Sequence, residues 1–151
     1  MRLGIYGLGL LIWVGQVYAF PCYVTVAKEG CWTPYQVDVQ VIDEVKKTRI
    51  ATVSIPKGEQ YGRAQFDCSP KQELAFQATF QPAFWENERG AVYQGKKFIF
   101  LPQSVGAGEV AWNIPICFSS AFSKAPFPPD AAGNCQCDFS KAPALTSKEV
   151  K

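Results

Sequence analysis

The run Tyr35-Gln36-Val37-Asp38-Val39-Gln40-Val41 alternates without a fault. Tyr35, Val37, Val39 and Val41 share one parity, and Gln36, Asp38 and Gln40 share the other. A period of two puts the apolar row on one face of a strand and the polar row on the other. Such a strand needs a second layer over its apolar face. The same texture recurs along the chain. Cys22 to Ala27 places Cys22, Val24 and Val26 together, and Arg49 to Ile55 does the same with Ala51, Val53 and Ile55. Tyr61 to Cys68 sets Ala64, Phe66 and Cys68 inward, and Glu73 to Phe80 sets Leu74, Phe76, Ala78 and Phe80 inward. Lys97 to Leu101 and Glu109 to Cys117 complete the series, the last with Val110, Trp112, Ile114 and Ile116 in alternation.

Turn signals separate these runs. Lys28-Glu29-Gly30, Pro56-Lys57-Gly58, Ser69-Pro70 and the loop Pro102 to Gly108 supply residues that reverse a chain or withhold a ladder hydrogen bond. No stretch after residue 19 has a convincing helical period. The pattern predicts an all-β fold, a single antiparallel β-sandwich of about seven strands, Ig-like or transthyretin-like. It divides the chain into a leader (1–19), a sandwich domain (20–117) and a Pro-rich C-terminal tail (118–151). The tail is too poor in apolar periodicity to form a layer, so it is expected to drape over the sandwich and fray at its end.

The leader has Arg2, an uncharged apolar run from Leu3 to Val17, and Val17-Tyr18-Ala19 near a cleavage point. These features fit a secretory signal peptide, and the run is short for a membrane span. No transmembrane segment is expected after cleavage, and the expected location is the periplasm or the extracellular space. All six cysteines, Cys22, Cys31, Cys68, Cys117, Cys135 and Cys137, follow the leader. An even count in an exported chain implies disulfides. Cys22 and Cys31 flank a short turn and could pair across it, or each could reach a more distant strand. Cys135 and Cys137 point to the same side of an extended segment and would staple the tail, each to a different partner.

Charge and residue types narrow the chemistry. The net charge is +2, or +1 without Arg2 of the leader (14 basic against 13 acidic residues), a balance that argues against a nucleic-acid partner. Lys46-Lys47 and Lys96-Lys97 read as solvated surface that discourages edge pairing. The chain has no histidine, which removes the common general base and the usual catalytic triad. Zinc would want Cys-x2-4-Cys pairs, usually with His, so no metal and no cofactor are expected. Glu86 and Glu88 lie close enough in sequence to suggest a carboxylate pair, but a charged loop tip is the commoner meaning. Gly106-Ala107-Gly108 lacks the third glycine and the helix of a dinucleotide fingerprint. No catalytic residue is expected.

Aromatics are in surplus at strand ends: Trp32, Phe84, Trp85, Tyr93 and Phe118. The candidate binding surface is Trp32, Phe84, Trp85 and Tyr93, where exposed rings could stack on sugars or anchor a protein. The competing role for them is to cap the open ends of the sandwich.

Tyr35 to Asp43 followed by Ala51-Thr-Val-Ser-Ile-Pro56-Lys-Gly58 resembles the opening strands of transthyretin-like and carboxypeptidase-regulatory-like sandwiches. The whole chain carries Cys22-Tyr23, Cys31-Trp32-Thr33, Phe84-Trp85-Glu86, Ala111-Trp112-Asn113-Ile114-Pro115, Pro128-Pro129-Asp130 and Gly133-Asn134-Cys135-Gln136-Cys137. In these it resembles small exported gammaproteobacterial proteins of no assigned enzyme activity, a group with accessory subunits of type IV secretion outer-membrane core complexes. That resemblance implies a structural or adaptor subunit whose partner is another envelope protein or complex. The alternative is a carbohydrate-binding or enzyme-inhibitory secreted module. Oligomeric state stays open.

Overall fold

Alternation translates directly into layers. The computed structural model describes residues 12, 19–131 and 133–145. The leader reading over Met1–Ala19 therefore lies, apart from Ile12 and Ala19, outside the described residues. β1 (Phe20–Lys28), β4 (Tyr61–Cys68) and β8 (Trp112–Phe118) form one sheet in the order β4-β1-β8. The second sheet contains β2 (Gln36–Asp43), β3 (Thr48–Ile55), β5 (Glu73–Gln81), β6 (Tyr93–Gln94) and β7 (Ile99–Phe100). Its order is β3-β2-β5-β6, and β7 pairs with β5 as well. The two inner faces meet in one core that holds Val24, Val26, Val37, Val39, Val41, Ile55 and Leu74, all at 0 % exposure. Burying each such side chain contributes roughly 1.5–3 kcal/mol.

The all-β sandwich expected from the sequence is what the chain forms, with three departures in detail. Eight strands occur among the described residues, the additional one being β6, a two-residue piece within the long connection. The expected strand from Lys97 to Leu101 shrinks to Ile99–Phe100, and Val110 lies outside β8 at 62 % exposure. Pairing is not wholly antiparallel: β1 and β8 run parallel, from Cys22↔Trp112 to Lys28↔Phe118. A parallel pair needs a long crossover, and the whole of the intervening chain supplies it. No α-helix occurs among the described residues.

One side of the sandwich is closed and the other is partly open. On the closed side β3 meets β4 at Gly62, where an added Cβ would lie 2.8 Å from Val53 Cγ1 and 3.0 Å from the Ser54 carbonyl. Glycine is needed there because the strands touch. On the other side β8 pairs with no strand but β1 among the described residues. There, among the described residues, the segments after β6 and after β8 are joined by one isolated bridge, Gly95↔Phe122, flanked by Lys96 N–H to Ala121 O (2.9 Å) and Ser123 N–H to Gln94 O (2.7 Å).

The tail covers the outer face of the first sheet. Tyr23, Thr25 and Ala27 point away from the core yet are buried. Tyr61 Oη donates to the Asp138 carbonyl (2.6 Å), and Arg63 donates from Nη2 to the Pro143 carbonyl (2.5 Å) and from Nε to Thr25 Oγ1 (2.8 Å). Disulfides Cys31–Cys135 and Cys117–Cys137 staple it, and Cys22–Cys68 ties β1 to β4. The short Cys22–Cys31 pairing does not occur. Both residues reach distant partners, and no cysteine is free. Three disulfides place the folded chain in an oxidising environment outside the cytoplasm. No helix among the described residues is long and apolar enough to cross a membrane.

Candidate functional site

The turn after β1 holds the densest buried polar chemistry. Lys28-Glu29-Gly30 reads as a turn from its composition, and within it Lys28 is 2 % exposed and Glu29 3 %. The chain does turn here, into a 3-10 segment at Gly30–Trp32, and the tail covers the turn. Gly30 N–H donates to the Gln136 carbonyl and Cys31 N–H to the Asn134 carbonyl (3.1 Å). An added Cβ on Gly30 would lie 2.6 Å from that Asn134 oxygen, so only glycine permits the approach.

Glu29 Oε1 accepts from the Ser119 N–H (2.5 Å) and the Ser119 Oγ (2.9 Å). Ser119 Oγ in turn accepts from Trp32 Nε1 (3.2 Å). This chain ties the first turn to the end of β8. It has the form of a satisfied structural network, the state in which buried polar groups are stable. Glu29, Cys31 and Cys135 bring one ligand atom each within 4.8 Å of one another. The two sulfurs are bonded to each other in a disulfide, so they offer no thiolate to a metal.

Lys28 Nζ donates to the carbonyls of Tyr35 (2.6 Å) and Pro56 (3.1 Å), pinning the start of β2 to the β3–β4 turn. Burial lowers its pKa to about 8, partly opposed by the charge of Glu59. The unfolded lysine titrates near 10.4, so between these values the unfolded chain binds more protons and stability rises with pH. Tyr35, Tyr61 and Tyr93 are raised by burial and begin to act only above about pH 10, where they oppose the trend. Denaturant unfolding from pH 8 to 10 is therefore expected to show a gain on the order of 1 kcal/mol. The gain should vanish in Lys28→Met. A flat wild-type profile would contradict the burial of the amine.

The four aromatics of the candidate surface separate by depth. Trp32 is at 0 % exposure, enclosed by Phe118 (4.7 Å between ring centroids), Phe80 (4.8 Å), Tyr35 (5.4 Å) and Phe84 (5.4 Å). It is core, and its expected place on a binding surface is corrected accordingly. Phe84 and Tyr93 are half-buried, stacked on Trp32 and Phe80 respectively. Trp85 alone turns outward, 50 % exposed and edge-on to Phe84 at 5.7 Å. Glu86 and Glu88 follow in a 3-10 turn, where the Glu86 side chain is 87 % exposed and 3.7 Å from Arg89. Glu86 therefore sits at a loop tip, whereas Glu88 is partly buried, its Oε2 enclosed with no hydrogen-bond partner among the described residues.

Sequence reasoning missed a groove of about 430 Å³ on the open side. Phe76 and Phe122 line its depth, Ile116 and Pro115 one wall, and Phe98 and Ile99 the other. Lys96 and Lys97 are its only charged lining residues. Phe98 (52 % exposed) also borders a second hollow with Ile42, Gln77 and Gln94, and Phe100 (68 %) follows it outward. The signal was present in Phe98-Ile99-Phe100, an apolar run longer than the β7 it forms. Comparison with protein-family profiles, with curated proteins and with solved structures finds no significant match.

Proposed function

We propose that this chain is an exported interaction module, a structural or adaptor subunit of a cell-envelope assembly, working in the periplasm or beyond it. The observation that carries this reading is the apolar surface on the open side of the sandwich. Phe98, more than half exposed, lines a groove that also holds Phe76 and Phe122, and Phe100 two residues on is 68 % exposed. Contiguous exposed apolar surface marks interaction sites, and three disulfides keep it rigid, which lowers the ordering cost of binding. The resemblance to accessory subunits of type IV secretion core complexes agrees with this role.

In mild detergent extracts of its native cell the protein should sediment in a large envelope complex. Phe98→Ser/Phe100→Ser should shift it to the free fraction. Sedimentation of the wild type as a free, single chain would overturn the reading. The half-exposed indole of Trp85 favours a second role, a glycan-binding or enzyme-inhibitory module. Glycan-array binding abolished by Trp85→Ala would establish that role instead.

A further inference from the structure

The groove on the open side has a one-sided chemistry. Of the residues that line it, only Lys96, Lys97 and Ser120 carry a polar group on the side chain, and none is acidic. The ion pairs among the described residues include neither ammonium. Glu44, in the hollow that shares Phe98, is already paired with Lys47, and Glu73 stands opposite Phe100, outside the lining. The rest of the lining is hydrocarbon and backbone, with Phe76 and Phe122 buried and Phe98 52 % exposed.

The groove is also preformed. Gly95 N–H donates to the Phe76 carbonyl (2.8 Å) and Lys96 N–H to the Ala121 carbonyl (2.9 Å). The segment that bears both lysines is thereby fixed to β5 and to the turn after β8. A volume of about 430 Å³ falls within the roughly 300–1,000 Å³ of pockets that take a small molecule.

A peptide strand is a poor fit. Successive residues of a strand turn their N–H and C=O to opposite edges. Phe118 turns its carbonyl toward β1, where it accepts from the Glu29 N–H (2.8 Å). Cys117 and Pro115 then carry the free edge of β8 beside the groove. Pro115 has no N–H to give, and the Cys117 carbonyl already accepts from the Ala121 N–H (3.0 Å), so the ladder that an added strand needs is interrupted. The chemistry left is that of a hydrocarbon body with one negative end.

We propose that the groove binds an anionic amphiphile, a molecule with one hydrocarbon chain and one carboxylate or phosphate head. The chain lies between Phe98 and Ile116, over Phe76 and Phe122, and the head meets Lys96 and Lys97. The lysine stems cover the first methylenes while their ammoniums make charge-assisted hydrogen bonds to the head. Fatty acids and single-chain anionic phospholipids share this chemistry. The inference rests on the reading of this surface as an interaction site and names the chemistry of one occupant.

The test is calorimetric titration of the oxidised chain, residues 20–151, with lysophosphatidylglycerol below its micelle concentration. One lipid should bind per chain, more weakly as salt rises. Lysophosphatidylcholine of the same chain length should bind at least about tenfold more weakly, because its head carries no net charge. Glycerol phosphate, which has no chain, should not bind. Removing two methylenes from the chain should weaken binding by up to about tenfold. A fatty acid of matched length is the second anionic probe, and the tighter of the two identifies the source of the head. Lys96→Glu/Lys97→Glu should cost about tenfold or more with either anion. Ser120→Trp, which fills the groove from an exposed position, and Phe98→Ser, which removes a wall, should weaken every ligand that has a chain. Thermal midpoints close to wild type show that these surface variants fold. The proposal is overturned if lysophosphatidylglycerol does not bind, if the two lysolipids bind equally, or if binding ignores all three variants. Should it fail while the protein still sediments in a large complex that depends on Phe98 and Phe100, the groove belongs to a protein and the interaction-module reading stands. A free single chain in cell extracts takes down that reading separately.

Discussion

Replacing Cys31 and Cys135 together by alanine is expected to lower the unfolding free energy by about 4–5 kcal/mol, with the thermal midpoint falling on the order of 15 °C. The reason lies in the length of chain the bond closes. Cys31 and Cys135 are 104 residues apart, and a crosslink of that span removes the most freedom from the unfolded chain. Cys117–Cys137 spans 20 residues, so its removal should cost about 3 kcal/mol. Hydrogen exchange locates the damage. The Gly30 and Cys31 amides, which donate to the tail carbonyls of Gln136 and Asn134, should lose protection first. A loss below about 1 kcal/mol would mean the tail is held by other contacts.

Trp32→Ala is the second large effect, expected at about 3–5 kcal/mol by guanidinium unfolding, with collapse of the near-ultraviolet signal. The indole fills the centre of a ring of four aromatics, so its removal leaves a cavity that rigid neighbours cannot close. It also strips Ser119 Oγ of a donor. Trp32→Phe keeps most of the packing and isolates that hydrogen bond, at about 1 kcal/mol. Trp85→Ala, by contrast, removes a half-exposed ring and should change stability by less than about 1 kcal/mol. The contrast separates the two tryptophans that composition alone groups together. Equal losses at both positions would contradict the depth assigned to each.

How much of this was legible in the sequence depends on how local the cause was. The inner rows of β2 and β5 follow from parity, and Val37, Val39, Val41, Leu74, Phe76 and Phe80 are all buried as parity requires. Parity did not announce that β1 is buried on both faces. The clue was the composition of its second row, Tyr23, Thr25 and Ala27, against Gln36, Asp38 and Gln40 on β2. A row without charge or amide is one that something covers.

Other features have no local cause. The parallel pairing of β1 with β8 joins residues some ninety positions apart, and the alternation of either strand is the same whichever way its neighbour runs. Burial of Lys28 and Glu29 contradicts their usual exposure, and it arises only because the tail lands on the turn that contains them. Disulfide connectivity is likewise a property of the folded topology. The groove was hidden for a further reason. Its lining comes from β5, the segment running from β6 into β7, β8 and the turn after it, and none of these is unusual alone.

Everything functional rests on an oxidised body whose tail is fixed to the first sheet. Mass-spectrometric peptide mapping of the protein isolated from its host, without reduction, tests that most directly. The account predicts the linkages Cys22–Cys68, Cys31–Cys135 and Cys117–Cys137 and no alkylatable thiol. A Cys22–Cys31 peptide, or free thiols at Cys135 and Cys137, would contradict it.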